Sequence, residues 1–358
     1  MTNKSNDNLK TKNNQINNKT KQTIGIIFGG KSPEHNISIT SAKNIWQSLK
    51  KLNYQVMPFY IDKTGQNWYE ETPNDKTMLK TNQIYNDSLI SKLKKCDCIF
   101  ILIHGNTGED GVIAGFLQTF NIKYIGCNLE SSALCFDKHR TKLALLARGI
   151  PVAPFIHIDI RDGFSFVEEY LNKKIKPNFL PIFIKPCRSG SSYGVSKINN
   201  FTELLPSLKK AAEFDYSILI EKAIAGRELE CAVLEGTKPV KPLISLPAEI
   251  QINKSSDTKF YDYQAKYIDK SVSLKTPASL TSKQTKSIQK IAATSFAVLE
   301  CQSMARIDVF LTNNNQIIVN EINTIPGFTP ISQYPKMWEV SGLPLPELLE
   351  ALIKTAHY

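Results

Sequence analysis

The clearest alternation of apolar and polar positions lies between Met304 and Ser332, MARIDVFLTNNNQIIVNEINTIPGFTPIS. Two apolar, β-branched runs flank the polar turn Asn313-Asn314-Asn315-Gln316, which predicts a β-hairpin. A turn centred there opposes Asp308 to Glu321 and Arg306 to Asn323, so these four side chains share one face. Ile307, Val309, Leu311, Ile318 and Ile322 are expected on the other face, against a core. Upstream, Thr23–Phe28, Gln55–Ile61 and Asp97–Ile103 read as strands, with helical patterns carrying Ile45, Trp46 and Leu49 and spanning Val112 to Phe120 between and after them. Strands alternating with helices predict an α/β unit over residues 23–126, built on a doubly wound parallel sheet.

Leu129 to Arg148 predicts one or two helices, broken near Phe136-Asp137-Lys138 and stopped by Gly149-Ile150-Pro151. A second unit over 127–225 is expected around strands Leu180–Pro186 and Ser217–Glu221, and a third over 226–358 begins with the β-pattern Gly226–Leu234. In that third unit a helix from Thr281 to Cys301 carries Ile288, Ile291, Ala292, Ser295, Phe296 and Leu299 at helical spacing. The hairpin follows, then helices near Gln333–Val340 and from Leu345, and no internal repeat is visible.

Composition narrows the class. With 358 residues and 42% apolar content the chain is long enough for two or three globular domains, and no run is apolar enough to span a membrane. Residues 1–22 are rich in Asn, Lys and Gln with almost nothing apolar, which predicts a disordered basic tail rather than a signal peptide. That tail holds five Lys and one Asp, so four of the +11 net charges lie there and the remainder is thinly spread. No face interleaves aromatic with basic residues, so nucleic-acid binding is not expected. Seven cysteines, an odd number with no C-x-x-C pair, sit mostly in apolar runs and read as reduced core thiols of a cytoplasmic protein.

The chemistry-bearing stretches fall at strand ends. Thr23–Phe28 ends in Gly29-Gly30 before Lys31-Ser-Pro-Glu34, a turn that fits either ligand binding or plain strand-to-helix sterics. Asp97–Ile103 runs into His104-Gly-Asn-Thr-Gly-Glu-Asp-Gly, where His104 by itself reads as a hydrogen-bonded structural residue. Lys185 stands at the threshold of Cys187-Arg-Ser-Gly-Ser-Ser-Tyr-Gly-Val-Ser, whose small residues let backbone N–H groups approach an anion, without the spacing of a P-loop. The hairpin's polar face offers oxygen ligands without His or Cys, which suits Mg²⁺ or Mn²⁺. Asn253 to Thr276 is long, polar and aperiodic, a pattern expected of a functional lid.

Taken together, GGKSPEHNIS, HGNTGEDG, FDKHRTK, FIKPCRSGSSYGVSK, EKAIAGRELE, YDYQAKY, ARIDVF and NEINTIPGFTPIS resemble the D-alanine–D-alanine ligases of the ATP-grasp superfamily, from about Thr23 onward. The resemblance implies an ATP-grasp fold: the N-terminal sheet domain plus two α+β domains gripping ATP. It implies ATP and two Mg²⁺ (or Mn²⁺) as cofactors, D-alanine as substrate, and a homodimer acting in peptidoglycan precursor synthesis. By the same resemblance Lys138, Lys185 and Ser192 would hold the phosphates with Lys266 at the terminal one, and Glu221, Lys222, Ile224 and Glu228 would line the adenine and ribose pocket. Asp308, Glu321 and Asn323 would ligate the metals. Glu34 would bind the first D-alanine's amino group with His104 nearby, Ser191 and Tyr267 would join Glu34 in a closing cluster, and Ser332 would hold the second carboxylate. Arg306 and the Gly327 N–H would steady the charge at the reacting carbonyl. Ser189 and Pro330 depart from residues found in relatives, Cys187 stands next to the phosphate grip, and none removes a ligand. The nearest alternatives are ligases of the same fold that make D-alanyl-D-lactate or D-alanyl-D-serine, against which Ala265-Lys266-Tyr267 favours D-alanine.

Overall fold

The computed structural model describes residues 22–74, 82–236, 241–252 and 272–358. The predicted tail, and most of the predicted lid with Lys266 and Tyr267, lie outside the described residues. Among those described, the N-terminal unit comprises β1 (Thr23–Gly29), α1 (His35–Lys51), β2 (Gln55–Ile61), β3 (Trp68–Tyr69), β4 (Gln83–Ile84), α2 (Asn86–Leu93), β5 (Cys98–Ile101), α3 (Val112–Thr119) and β6 (Tyr124–Ile125). Its sheet runs β4-β3-β2-β1-β5-β6. The expected parallel pairing holds for β2-β1-β5-β6, but β3 and β4 add an antiparallel edge that the sequence pattern did not announce. β1 is apolar without alternation because both of its faces are covered: Ile24, Ile26 and Phe28 join the core under α1, while Ile27 faces Phe59, Ile99 and Ile101.

The helical stretch after β6 divides into α4 (Leu129–Phe136) and α5 (Lys138–Ala147), and Asp137 is the reason. Its extended backbone ends α4, and its carboxylate accepts the N–H groups of His139 and Arg140 at 3.1 Å, capping α5. The central sheet, ordered β7-β10-β8-β9, joins β7 (Phe155–Asp159), β8 (Ile182–Pro186), β9 (Ser196–Ile198) and β10 (Ser217–Lys222), with α6 (Phe164–Lys174) and α7 (Leu204–Ala212) on its apolar side.

The third sheet, ordered β14-β13-β11-β15-β16, contains β11 (Gly226–Leu234), β13 (Ala248–Ile252), β14 (Val272–Lys275), β15 (Met304–Thr312) and β16 (Ile317–Asn323), with β12 (Leu243–Ile244) paired to β11. The helix α8 (Ser282–Val298) opens with a capping box between Thr281 and Gln284. It packs with α4 and α5 on one face of this sheet. The last helices, α9 (Gln333–Val340) and α10 (Leu345–Lys354), return to the N-terminal unit and share its core through Tyr334, Trp338 and Leu348. Among the described residues no helix is long and apolar enough to cross a membrane, and all seven cysteines are buried and free.

Candidate active site

The hairpin pairs Arg306 with Asn323 and Asp308 with Glu321, the register expected from sequence. Beyond Asp308 the register shifts: Val309 pairs with Val319, so Asn320 is an extra residue in β16. This overturns one expectation. The bulge moves Ile318 opposite Phe310 and puts Ile317 and Val319, with Ile322, in the core instead. On the polar face Arg306 donates from Nε and Nη2 to the two oxygens of Asp308 at 2.7 Å each, and its Nε lies 3.4 Å from Glu230. Such a bidentate contact fixes the guanidinium plane as well as its charge.

The loop after β8 meets this face. Arg188 anchors it, with backbone N–H, Nε and Nη2 all donating to Asp215 at 2.9, 3.0 and 2.6 Å. Ser191 (φ 46°), Ser192 (φ 59°) and Gly194 (φ 74°) then take left-handed backbone. For the two serines this costs on the order of 1 kcal/mol each. In return Ser191 Oγ–H donates to Glu34, which sits just ahead of α1. Gly190 allows the approach, since a Cβ there would fall 2.8 Å from Glu34 Oε2. Lys138 ties the loop to the hairpin: its Nζ donates to the Ser189 carbonyl at 2.7 Å and stands 3.5 Å from Glu321.

His104 is fully buried and donates from Nδ1 to the Ile325 carbonyl at 3.0 Å, with Glu109 3.8 Å away. Burial alone would lower its pKa, but the Glu109 and Glu34 carboxylates outweigh it and hold the value above the usual histidine range. Its Nε2 has no partner among the described residues. Near the hairpin's exit, Ser332 Oγ accepts the Thr329 N–H at 3.0 Å, and a Cβ on Gly327 would lie 2.8 Å from that same oxygen. A side chain at 327 would therefore have to displace the Ser332 hydroxyl, and glycine leaves that hydroxyl in place.

Two clefts result, sharing Lys138, Ser189, Ser191 and Glu321 as a common wall. The larger, about 640 Å³, lies between the central and third sheets and holds Lys185, Ser192, Glu221, Lys222, Ile224 and Glu228, with Asp308 at its edge. Phe183, Ile250 and Phe310 give it apolar surface for a flat ring. The smaller, about 360 Å³, holds Glu34, Arg306, Asn323, Gly327 and Ser332. His104 lines neither, and the residue next to it that lines the smaller one is Glu109, 3.8 Å away. Sequence reading missed Glu109, Glu230, Asn320 and Lys142. Lys142 alone carried a legible signal, since it lies four residues after Lys138 within FDKHRTK and so on the same helical face.

Two sheet-bearing units closing on a nucleotide-sized cleft, with a second cleft against the N-terminal unit, define an ATP-grasp ligase. Family models described as D-ala D-ala ligase N-terminus and D-ala D-ala ligase C-terminus match residues 23–127 and 145–354. The chain belongs to the D-alanine–D-alanine ligase family. It is 41% identical over 359 residues to a D-alanine--D-alanine ligase from Oceanobacillus iheyensis, covering 94% of this chain and 95% of that one. Among solved structures, the D-alanine-D-alanine ligase from Coxiella burnetii is similar with a TM-score of 0.74 and 35% identity, over 94% of this chain and 93% of that one. The VanG D-Ala:D-Ser ligase from Enterococcus faecalis is similar with a TM-score of 0.80 and 33% identity, over 94% and 99%.

Proposed function

We propose that this protein joins two D-alanine molecules into D-alanyl-D-alanine, cleaving ATP to ADP and phosphate through a D-alanyl phosphate, for peptidoglycan precursor synthesis. The observation that carries the reading is the common wall: Lys138 and Glu321 belong at once to a cleft large enough for a nucleotide and to one sized for two small amino acids. A carboxylate is a poor acyl donor at neutral pH, so phosphorylation must precede amide formation, and both events need one junction. Lys138 and Lys185 attract the phosphates from the larger cleft. Glu34, oriented by Ser191, binds the first amino group, and His104, held by the Ile325 carbonyl and Glu109, lies within the field of the Glu34 carboxylate. Arg306 and the Gly327 N–H stabilise the oxyanion formed when the second amine attacks, while Ser332 binds the second carboxylate. No side-chain nucleophile is required, because positioning two substrates supplies much of the rate.

The hairpin fits divalent metal. Asp308, Glu321 and Asn323 present only oxygen ligands on one polar face, with the two carboxylates in direct register, a donor set for Mg²⁺ or Mn²⁺. Two such ions, when bound, supply charge neutralisation to the transferring phosphoryl group. Lys266 and Tyr267 complete the reading as terminal-phosphate and closing residues on the lid. The need for ATP and the free thiols support a cytoplasmic location, and a homodimer is expected, which light scattering would test. One experiment tests the whole: ADP release measured with D-alanine alone and with D-lactate or D-serine added as acceptor. D-Alanine alone should drive turnover and yield the dipeptide. ADP release only when D-serine or D-lactate is added would replace this reading with that of a sister ligase.

A further inference from the structure

Beneath the larger cleft, Glu221 is 2% exposed and is gripped by two ammonium groups, Lys142 on one carboxylate oxygen and Lys185 on the other. Lys142 is itself 1% exposed and lines neither cleft. Its Nζ also donates to the backbone carbonyl of Asn320, the bulge residue, at 3.2 Å, while Lys185 lies 3.4 Å from the Asn320 side-chain oxygen. Lys142 thus joins α5, β10 and β16 at one point. Burial alone would raise the Glu221 pKa, but the two lysines outweigh it and lower it. The same carboxylate raises Lys185 against its own burial.

Charge counting gives this arrangement a consequence. Within this triad one carboxylate is shared by two amines, with Glu321 and Glu228 also acting on Lys185, and of the two lysines only Lys185 lines the cleft. Without Lys142 the pair Glu221–Lys185 would be neutral, and in a weakly polar interior a carboxylate with a single partner would hold it hard. We propose that Lys142 is a positioning residue: by sharing Glu221 it keeps the charge of Lys185 available to the nucleotide phosphates. The inference rests on the larger cleft being the nucleotide site, and it extends that reading to a residue that never touches the ligand.

The test is direct ADP binding by calorimetry, with ATP and D-alanine kinetics alongside. Lys142→Met should weaken ADP binding and raise KM for ATP about tenfold, with KM for D-alanine changed less than about twofold. Lys142→Arg keeps the second positive charge on Glu221 and should bind ADP within about threefold of the parent. A merely structural role predicts the opposite order, with the bulkier Lys142→Arg no better than the near-isosteric Lys142→Met. If Lys142→Met does not fold, Lys142→Gln, which keeps a donor for the Asn320 carbonyl, carries the same expectation. Unchanged ADP affinity in folded Lys142→Met or Lys142→Gln would overturn the proposal, as would a folded Lys142→Arg that binds ADP no better than the neutral variant. A parent protein that binds no ADP at all would instead overturn the assignment of the cleft.

Discussion

The two clefts share a wall but are built from different material. In the larger one Lys185, Glu221, Glu228 and Asp308 project from paired strands, so each side chain's direction is set by sheet register, and Lys185 and Glu221 are further held by their ion pair. In the smaller one Glu34, Ser191, Gly327 and Ser332 all lie on turns or loops, held by single hydrogen bonds, left-handed backbone and close approaches. The strand-built cleft should tolerate change in its loops, whereas the loop-built cleft should fail one contact at a time.

Two substitutions probe that contrast, and a third probes stability. The largest effect should come where the clefts meet: Glu321→Gln removes a carboxylate common to both and should lower ADP release by roughly 10³-fold, with circular dichroism unchanged. More than a tenth of parental turnover would show that the wall is not shared chemistry. A loop substitution should act on one side only. Gly190→Ala drives a methyl group to 2.8 Å from Glu34 and should cut kcat/KM for D-alanine about tenfold. Nucleotide affinity should move less than about twofold, and equal losses on both sides would break the distinction between the clefts.

The smallest effect is on stability. His139 on α5 stacks on His157 of β7, with ring centroids 3.8 Å apart and planes 3° off parallel. Burial first, and then the His157 ring, lowers the His139 pKa, while Asp137 opposes and Arg140 adds to the shift. A histidine depressed in the folded state contributes stability that is complete above its unfolded value near 6.5 and is lost as pH falls. Melting temperature should therefore drop between pH 7.5 and 5, and His139→Gln should make that drop shallower by about a degree or two. An identical pH slope in both proteins would remove the stack from the account.

Strand-borne features of the site were legible because alternation encodes them: a turn centred on Asn313-Asn314-Asn315-Gln316 opposes Asp308 to Glu321, and the structure reaches that pairing through a tighter turn register, Leu311 with Ile317, that the bulge shifts back by one residue. The bulge at Asn320 was not, since an extra residue in an apolar run leaves the hydrophobic pattern intact while swapping Ile318 for Ile317 and Val319 in the core. Phe155–Asp159 escaped notice for a related reason, being short, partly exposed and interrupted by His157. The loop features were visible only as composition. Small residues in CRSGSSYG permit an anion-binding turn, but which of them would turn left-handed, and that Gly190 would press on Glu34 from 156 positions away, depend on tertiary contacts that no local window contains.

The central claim is that phosphoryl transfer and amide formation occur in sequence at one junction. It is tested most directly by supplying ATP and D-alanine labelled with ¹⁸O in both carboxylate oxygens, then analysing the products by mass spectrometry. Phosphorylation of the first carboxylate, followed by attack of the amine on the acyl carbon, leaves one labelled oxygen in each inorganic phosphate and one in the internal carbonyl of the dipeptide. Phosphate free of label, released together with ADP, would mean that water rather than a carboxylate accepts the phosphoryl group, and the account would be contradicted.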